Sequence, residues 1–483
     1  MASSSSDFHV MFIPYMAPGH MIPMLDIAGL FAENGVRVTI ITTPNNADRY
    51  INHKIFRPLI TLKLFPFPTL QAGLPKHCEN ITDAPTPAMS IRFLRAVDML
   101  RPEIETFIRQ TKPQCIFSDV LFPWTSQIAI ELGIPRLSFC GSGFFNLAVS
   151  LAIQRFKPHE NVESDSTKFV VPTLPHRVLL TRSQLPDIMK SRTTFSQLFD
   201  QLNEAESKCY GMVVNSFQEL ESGYGDYYRK TIGIKAWHVG PTSLYKGTPP
   251  TSSEKYECLT WLDGKEQNSV LYICFGSLTR LCKTQIDEIA TALEDSKHSF
   301  IWVLTKILKT GEEEEEEQNG GDEWWLPNGF EKRMNEKQKG IIIKGWAPQI
   351  SILSHPATGG FLTHCGWNSI LEGVAAGVPF VTWPIMADQF SNEQLLTQVL
   401  KIGIPVGNEV WRIWATEETP LIDREMIKKA MVKVMDGGDG EEAMEMRNKV
   451  AMMSELAKKA VEKDGSSIKE FNDLIQDIKS YKP

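Results

Sequence analysis

The most informative stretch of the sequence runs from residue 346 to residue 389 and reads WAPQISILSHPATGGFLTHCGWNSILEGVAAGVPFVTWPIMADQ. Residues 360–363 predict a strand that leads into His364, and residues 368–375 then predict a helix. The first turn of such a helix has backbone N–H groups without intrahelical partners and carries the positive end of the helix dipole. This entrance can therefore hold a diphosphate without lysines or a metal.

Two polar residues of the predicted helix extend the same site. Asn368 and Glu372 stand four apart, so they share one helical face. The amide can touch a phosphate, while the carboxylate reaches one turn further and can accept hydrogen bonds from two vicinal hydroxyls of a ribose. The stretch therefore predicts a nucleotide site.

The remaining chain predicts two wound α/β domains. A strand at 9–13, a helix with apolar spacing after it, and a β-branched strand at 36–42 form one strand–helix–strand unit. The same order begins again with a strand at 270–275. Because strand–helix–strand units build parallel sheets, each region predicts a parallel sheet of its own.

Composition excludes several classes of protein. The chain has 483 residues and a formal net charge of −8, which disfavours nucleic acid as the main partner. Its eight cysteines are scattered singly, without the spacing of metal ligands, and are expected to be free thiols. Phosphate-loop, serine-hydrolase and zinc-protease motifs are absent from the sequence.

Targeting signals are also missing from the sequence. No apolar run reaches the roughly 18 uninterrupted residues that a membrane span needs. The first seven residues, MASSSSD, lack the basic region and the apolar core of a secretory signal. We therefore expect a cytoplasmic protein without a transmembrane segment, and we expect it to be a monomer.

The block 346–389 resembles the plant secondary product glycosyltransferase box of family 1, the UDP-sugar-dependent glycosyltransferases. Weaker features of that family are Asn215-Ser216-Phe217 and Phe275-Gly276-Ser277. The resemblance implies an α/β protein of the GT-B fold, with two Rossmann-like doubly wound domains facing a cleft. It also implies that the chain is a hexosyltransferase.

The resemblance combines with composition to predict the domain limits. Residues 1–245 are expected to form the acceptor-binding domain, and residues 256–460 the domain that binds the UDP-sugar. The stretch 246–255, within a region rich in Gly, Pro, Ser and Thr, is expected to be the linker. Residues 461–483 are expected to form a helix that docks back on the N-terminal domain.

The resemblance implies a set of donor-binding residues, all from the C-terminal domain. Uracil would be contacted by Trp346 and Ala347, the ribose by Gln349 and Glu372, the diphosphate by Ser277, His364, Asn368 and Ser369, and the sugar by Trp367, Asp388 and Gln389. A glutamine at the end of the box is the family's usual mark of glucose. No metal and no further cofactor are expected, because UDP-glucose is itself the donor substrate.

Two residues of the N-terminal domain are candidates for catalysis. His20 follows the first strand and Asp119 ends another, so both lie at the carboxyl edge of the predicted sheet, where ligands bind. The resemblance implies that His20 is the general base for the acceptor hydroxyl. It implies that Asp119 orients His20 and offsets its charge. Transfer would be an in-line displacement that inverts the sugar configuration.

The acceptor is expected in the N-terminal half, where residues 139–202 are rich in apolar side chains. Candidate contacts are Phe144, Phe145 and Leu185. We expect a UDP-glucose-dependent O-glucosyltransferase that forms β-glucosides of small lipophilic plant metabolites, with triterpenoid or steroid sapogenins favoured. The segment around His20 resembles that of plant enzymes acting on sapogenins and of those acting on flavonoids and coumarins.

Three alternatives stay open at this point. The acceptor could be a flavonoid or another phenol, and the donor could be UDP-galactose or UDP-glucuronic acid. In a different class, the chain could be a catalytically silent sensor of sugar nucleotides. The presence of both His20 and Asp119 argues against a silent sensor.

Overall fold

The structure is a computed structural model that describes residues 8–50, 58–191, 196–245, 256–305, 325–413, 420–436 and 440–482. The predicted linker, 246–255, lies outside the described residues.

The described strands are short, as is usual for parallel sheets. They are β1 (His9–Ile13), β2 (Arg37–Thr42), β3 (Ile60–Leu64), β4 (Cys115–Asp119), β5 (Arg136–Cys140), β6 (Lys168–Val170), β7 (Leu179–Thr181), β8 (Gly211–Val214), β9 (Lys235–His238), β10 (Val270–Cys274), β11 (Ser299–Leu304), β12 (Gly340–Lys344), β13 (Thr358–Thr363), β14 (Phe380–Thr382) and β15 (Gly403–Pro405).

The helices alternate with these strands through most of the chain. They are α1 (Pro18–Glu33), α2 (Pro44–Tyr50), α3 (Pro87–Met99), α4 (Arg101–Thr111), α5 (Thr125–Leu132), α6 (Phe144–Phe156), α7 (Asp187–Lys190), α8 (Ser196–Ser207), α9 (Tyr224–Ile232), α10 (Glu257–Asp263), α11 (Lys283–Asp295), α12 (Phe330–Glu336), α13 (Gln349–Leu353), α14 (Trp367–Ala376), α15 (Gln389–Gln394), α16 (Arg424–Met435), α17 (Glu441–Ala460) and α18 (Ser466–Lys479).

The first sheet has the strand order β3-β2-β1-β4-β5-β8-β9, and neighbouring strands run parallel throughout. Its central strand β1 is fully buried. Pro18 begins α1, where a missing N–H costs nothing because the first turn has no intrahelical acceptor for it. The sheet therefore leads from a buried strand directly into a helix at its carboxyl edge.

The second sheet repeats this arrangement, with the order β12-β11-β10-β13-β14-β15 and parallel pairing. In both sheets the strand order reverses at the centre, as it does in doubly wound nucleotide-binding folds. The predicted fold class, two Rossmann-like domains, is confirmed. The predicted strand at 9–13 matches β1 residue for residue.

The chain divides into two compact units. Unit 1 comprises Met1–Phe144, Arg192–Gly247 and Lys459–Pro483, and unit 2 comprises Phe145–Ser191 and Thr248–Lys458. This division differs from the predicted domain 1–245, because residues 145–191 group with unit 2.

Hydrogen bonds explain the grouping of that segment. The Leu179 N–H donates to Oε1 of Gln398 over 2.9 Å, and the Gln398 amide donates back to the Leu179 carbonyl over 3.0 Å. The backbone N–H of Trp411 donates to the Ser183 carbonyl over 2.9 Å. The strand β7 and the turn after it are therefore fastened to unit 2.

The C-terminal helix α18 belongs to unit 1 although it comes last in the chain. One face of this helix, with Phe471, Leu474, Ile475 and Ile478, is buried in the same apolar cluster as side chains of β1 and α1. The Phe471 ring meets Phe31 edge to face, with ring centroids 5.2 Å apart. The helix thus completes the core on one side of the first sheet.

Candidate active site

The two sheets place the predicted site residues at equivalent points. In the first sheet the strand order reverses between β1 and β4, and His20 follows β1 while Asp119 ends β4. In the second sheet it reverses between β10 and β13, and Gly276 follows β10 while His364 follows β13. The carboxyl edge at such a reversal is where wound α/β folds bind ligands.

His20 and Asp119 form a close pair in unit 1. His20 lies in the first turn of α1, and its Nδ1 is 2.6 Å from Oδ2 of Asp119. The Asp119 carboxylate is fully buried, whereas 27% of the His20 side chain is exposed. The other carboxylate oxygen accepts the Leu121 N–H over 3.0 Å. Asp119 is thus held from two sides, and the imidazole reaches solvent.

Aromatic side chains enclose the other side of this pair. The Tyr15 ring meets the His20 ring edge to face, with centroids 5.6 Å apart, and also contacts Phe93 and Phe122. Burial, with a smaller contribution from the Asp119 charge, raises the pKa of Tyr15, so its phenol stays neutral. Aromatic rings therefore lie on the Tyr15 side of His20.

In unit 2 the imidazole of His364 is enclosed by two glycines. A Cβ on Gly276 would lie 2.6 Å from the ring, and a Cβ on Gly366 would lie 2.4 Å from it. Burial lowers the pKa of His364 to about 4. The ring is therefore neutral at physiological pH and can donate one hydrogen bond to a phosphate, but it adds no positive charge.

The helix α14 begins directly after this histidine. Its N-cap residue is Gly366, which has no side chain to cap the backbone N–H groups of the first turn. Asn368 and Ser369 lie in that turn, as predicted for contacts to a diphosphate. Ser277, predicted to join them, is exposed on the turn after β10. Trp367, predicted to contact the sugar, is only 3% exposed and belongs to the buried side chains of unit 2.

The predicted uracil and ribose contacts lie near the start of α13. Trp346 is 72% exposed, an unusual state for a tryptophan, and its ring lies 6.1 Å from that of Tyr256. Ala347 beside it is buried. The Gln349 amide donates to Oε2 of Glu372 over 2.7 Å, so the two predicted ribose contacts are joined to each other. A flat exposed ring next to this pair suits a base attached to a ribose.

Two of the three predicted sugar contacts, Asp388 and Gln389, lie at the start of α15. Oε1 of Gln389 accepts the backbone N–H groups of Ile385 and Met386 over 2.8 and 3.0 Å. Because the oxygen is committed to these donors, the amide NH₂ is the part of Gln389 that can serve a sugar. Asp388, partly exposed beside it, accepts a hydrogen bond from Asn392 over 2.9 Å.

Two supporting residues at this turn were missed by the sequence analysis. The Asn392 amide, fully buried, also donates to the Cys365 carbonyl over 3.0 Å, which links the turn between β13 and α14 to Asp388. The Trp411 indole donates to the Ala387 carbonyl over 3.1 Å. Cys365 and Ala387 both adopt a left-handed φ, at 64° and 52°, which is rare for residues other than glycine.

The sequence carried a signal for only one of these two residues. Asn392 stands four residues after Asp388, a helical spacing that could have identified it. Trp411 lies 24 residues beyond Ala387, and no sequence motif around it indicates this contact. The contact depends on the tertiary fold.

The three predicted acceptor contacts are core side chains in the structure. Phe144 and Phe145 are fully buried, and Leu185 is 2% exposed. The Phe144 ring packs against Tyr228 and His238, with centroids 5.3 and 4.8 Å away. Their burial gives no support to an acceptor role. Of the aromatic side chains near His20, Tyr15 packs directly against the imidazole, although it too is largely buried.

The described residues contain neither a cluster of metal-ligating side chains nor a membrane-spanning helix. No group of three or more His, Cys, Asp or Glu side chains in the described ranges could hold a metal ion. Within the same ranges, no helix combines the length and the apolar character required to cross a membrane.

Comparison with known proteins gives a consistent result. Residues 246–403 match the family model described as "UDP-glucoronosyl and UDP-glucosyl transferase". The chain is 43% identical to UDP-glucose flavonoid 3-O-glucosyltransferase 7 from Fragaria ananassa, over 98% of this chain and 97% of that protein. It is 42% identical to scopoletin glucosyltransferase from Nicotiana tabacum, over 98% of each.

A solved structure extends the similarity to three dimensions. The crystal structure of UGT73P12 from Glycyrrhiza uralensis, complexed with glycyrrhetinic acid 3-O-monoglucuronide, has a TM-score of 0.88 to this chain at 40% identity. The match covers 98% of this chain and 96% of the other.

Proposed function

Because the chain belongs to the plant family of UDP-dependent glycosyltransferases, we propose that it transfers glucose from UDP-glucose to a hydroxyl group of a small lipophilic plant metabolite. The observation that carries this proposal is the contact of 2.6 Å between His20 and Asp119 at the centre of the first sheet. A neutral imidazole paired with a buried carboxylate is the arrangement of a general base.

The proposed reaction begins with the acceptor hydroxyl at Nε2 of His20. As the hydroxyl oxygen attacks the anomeric carbon, its proton passes to Nε2, and the Asp119 carboxylate stabilises the imidazolium that forms. The bond between the anomeric carbon and the UDP oxygen breaks as the new bond forms on the opposite face. An α-linked donor therefore gives a β-glucoside, and UDP leaves.

The donor would bind to unit 2 through the residues at the carboxyl edge of its sheet. The exposed ring of Trp346 offers a stacking surface for uracil. Glu372 offers acceptor oxygens for the ribose hydroxyls, and the start of α14 offers N–H groups to the diphosphate. Asp388 can accept hydrogen bonds from sugar hydroxyls and Gln389 can donate them, which supports glucose as the donor sugar.

The proposed acceptor class follows from the surroundings of the base. The Tyr15 ring packs edge to face on His20, and Phe93 and Phe122 pack on Tyr15 in turn, so this side of the base is aromatic, which suits a rigid lipophilic aglycone. We favour a triterpenoid or steroid sapogenin. A flavonoid or coumarin is the alternative acceptor, since relatives of the chain are named for flavonoid and scopoletin glucosylation.

The experiment combines purified protein and UDP-glucose with a panel of sapogenins, flavonoids and coumarins. We expect UDP release, a product heavier by one hexose in mass spectrometry, and a β-anomeric proton signal in NMR spectra. His20→Ala serves as the control that removes the base. UDP binding without UDP release, with every acceptor, would instead identify a sugar-nucleotide sensor. The same panel is tested with UDP-galactose and UDP-glucuronic acid, and a product formed only from one of these would show that UDP-glucose is not the donor.

We also propose that transfer needs no divalent metal, because helix N–H groups and the neutral His364 ring can serve the diphosphate. Activity should therefore be unchanged by EDTA. A loss of activity in EDTA that magnesium restores would contradict this part of the proposal.

A further inference from the structure

A buried tyrosine hydroxyl lies behind the candidate ribose contacts. Tyr272 is on the central strand β10 and is fully buried, with its ring stacked on Phe361 at 5.1 Å. Its hydroxyl lies 3.1 Å from Oε1 of Gln349. Gln349 in turn donates from Nε2 to Glu372 over 2.7 Å and to Ser369 over 3.3 Å.

The chemistry of these groups fixes the direction of each hydrogen bond. An ionised carboxylate only accepts, so the NH₂ end of the Gln349 amide must face Glu372. The carbonyl end of the amide then faces Tyr272, whose hydroxyl must donate. Burial raises the pKa of Tyr272 and of the neighbouring Cys274 thiol, so both groups keep their protons at physiological pH. The Glu372 carboxylate and the Tyr272 hydroxyl thus hold the Gln349 amide in the same orientation from its two ends.

We propose that Tyr272 is a positioning residue for ribose recognition, acting through Gln349 on Glu372. The inference depends on the proposed function, because it assumes that unit 2 binds UDP. Without the hydroxyl, the Gln349 amide keeps its bonds to Glu372 and Ser369 but loses the contact that holds its carbonyl end, so the amide and its partner Glu372 are held less firmly. Contacts to uracil at Trp346 do not involve this relay, so they should be unaffected.

Tyr272→Phe tests the proposal, since it removes one oxygen and leaves the stacked ring in place. Calorimetry would measure the binding of UDP and of 2′-deoxy-UDP to the full chain, so that no acceptor is needed. We expect the UDP affinity to fall about five- to tenfold, the effect of roughly one hydrogen bond. The affinity for 2′-deoxy-UDP should change less than twofold, so that the preference for ribose shrinks.

A matched control is available in unit 1. The hydroxyl of Tyr245 is buried and has no hydrogen-bond partner among the described residues. Tyr245→Phe should therefore leave both affinities unchanged. A second comparison uses Gln349→Ala, which removes the relay, so adding Tyr272→Phe to it should cause no further loss of UDP affinity.

Three outcomes would overturn the inference. One is an unchanged preference of Tyr272→Phe for UDP over 2′-deoxy-UDP. Another is an equal loss of affinity for both nucleotides, which would indicate a structural role for the hydroxyl. The third is a wild type that binds neither nucleotide, and that result would refute the proposed function as well.

Discussion

Asp119 determines which nitrogen of His20 can act as a base. Because the carboxylate accepts a hydrogen bond from Nδ1, the proton of the neutral imidazole resides on Nδ1, and Nε2 keeps its lone pair. An asparagine at this position could donate to Nδ1 from its NH₂ group and so move the proton to Nε2. The asparagine has the same shape as Asp119, but it would hold the His20 tautomer whose Nε2 is protonated and cannot act as a base.

We therefore predict that Asp119→Asn and His20→Ala each lower kcat by roughly 10²–10⁴, the range for loss of a general base. The dissociation constant for UDP should stay within a few fold, because the predicted donor contacts lie in unit 2. Steady-state rates and calorimetry measure the two quantities. The matched control is Asp263→Asn, since Asp263 also pairs with a histidine, His355, over 3.3 Å but lies outside the candidate site. A variant that keeps a tenth of the wild-type kcat would contradict the assignment.

The two ends of the Gln389 amide have different roles: the oxygen holds the turn before α15, and the NH₂ group is left for a ligand. Its oxygen accepts two N–H groups of its own turn, and its NH₂ group faces away from them. Gln389→Glu keeps an acceptor for both N–H groups, replaces the NH₂ donor with an acceptor, and adds a negative charge beside Asp388. We predict that kcat/KM for UDP-glucose falls roughly ten- to a hundredfold, the effect of about 1–3 kcal/mol for one unpaired polar group.

The comparison donor in this experiment is UDP-galactose. The wild type should prefer UDP-glucose by a similar factor, and Gln389→His should narrow that preference, since histidine is the residue that galactose-using relatives tend to carry there. Rates are measured with one acceptor at low donor concentration. Equal wild-type rates with both donors would show that Gln389 does not select glucose.

At the scale of elements, the strand–turn–helix from β13 to α14 depends on the absence of a side chain at its turn. Gly366 has a φ of −62°, which any residue can adopt, so its requirement comes from contact and not from backbone conformation. A Cβ there would lie 2.4 Å from the His364 ring. The glycine thus lets the imidazole lie against the start of the helix.

Gly366→Ala should lower the UDP affinity at least tenfold, because His364 must leave its place at the helix entrance. Stability should change little if the ring swings outward. Gly264→Ala is the matched control, since a Cβ there would make an ordinary contact at 3.5 Å. Calorimetry and thermal unfolding distinguish the two effects. An unchanged UDP affinity would show that His364 has no part in binding the diphosphate.

The elements around the site could be predicted from local sequence, and the contacts that support the site could not. The apolar run of β1 and the helical spacing after it predict a strand and a helix without any knowledge of the fold. The contact of Tyr272 with Gln349 joins residues 77 apart, and nothing in either neighbourhood indicates it. Phe144 was predicted to contact the acceptor but is a core residue. Sequence alone cannot distinguish an apolar side chain that lines a pocket from one that fills the core.

At the scale of the whole molecule, the C-terminal helix α18 packs on unit 1, which also contains the first residues of the sequence. The helix α18 contributes four buried apolar side chains to the core of the first sheet. It also places Glu470 against β9, where the carboxylate accepts from the His238 N–H over 2.5 Å and lies 3.1 Å from the His238 ring nitrogen. The apolar core and the edge strand β9 of unit 1 therefore both depend on contacts from α18.

The pairing of Glu470 with His238 makes the stability contributed by α18 depend on pH. Although burial opposes it, hydrogen bonds from His238, with a contribution from the Arg229 charge, hold the pKa of Glu470 below its usual value. A carboxyl whose pKa is lower in the folded than in the unfolded state stabilises the fold above its unfolded pKa, near 4.3. That stability is lost as the pH falls through the folded pKa.

We predict that Glu470→Gln lowers the free energy of unfolding by about 1–3 kcal/mol at pH 7, as expected for hydrogen bonds to a charged group. The difference from wild type should persist at pH 5 and shrink below about pH 4, where the wild-type carboxyl takes up its proton. Urea denaturation at each pH measures this difference. Glu462→Gln is the matched control, because it removes one negative charge from an exposed site near the start of the same helix. A difference that stayed constant down to pH 3 would show that the shape of Glu470, and not its charge, fastens α18 to unit 1.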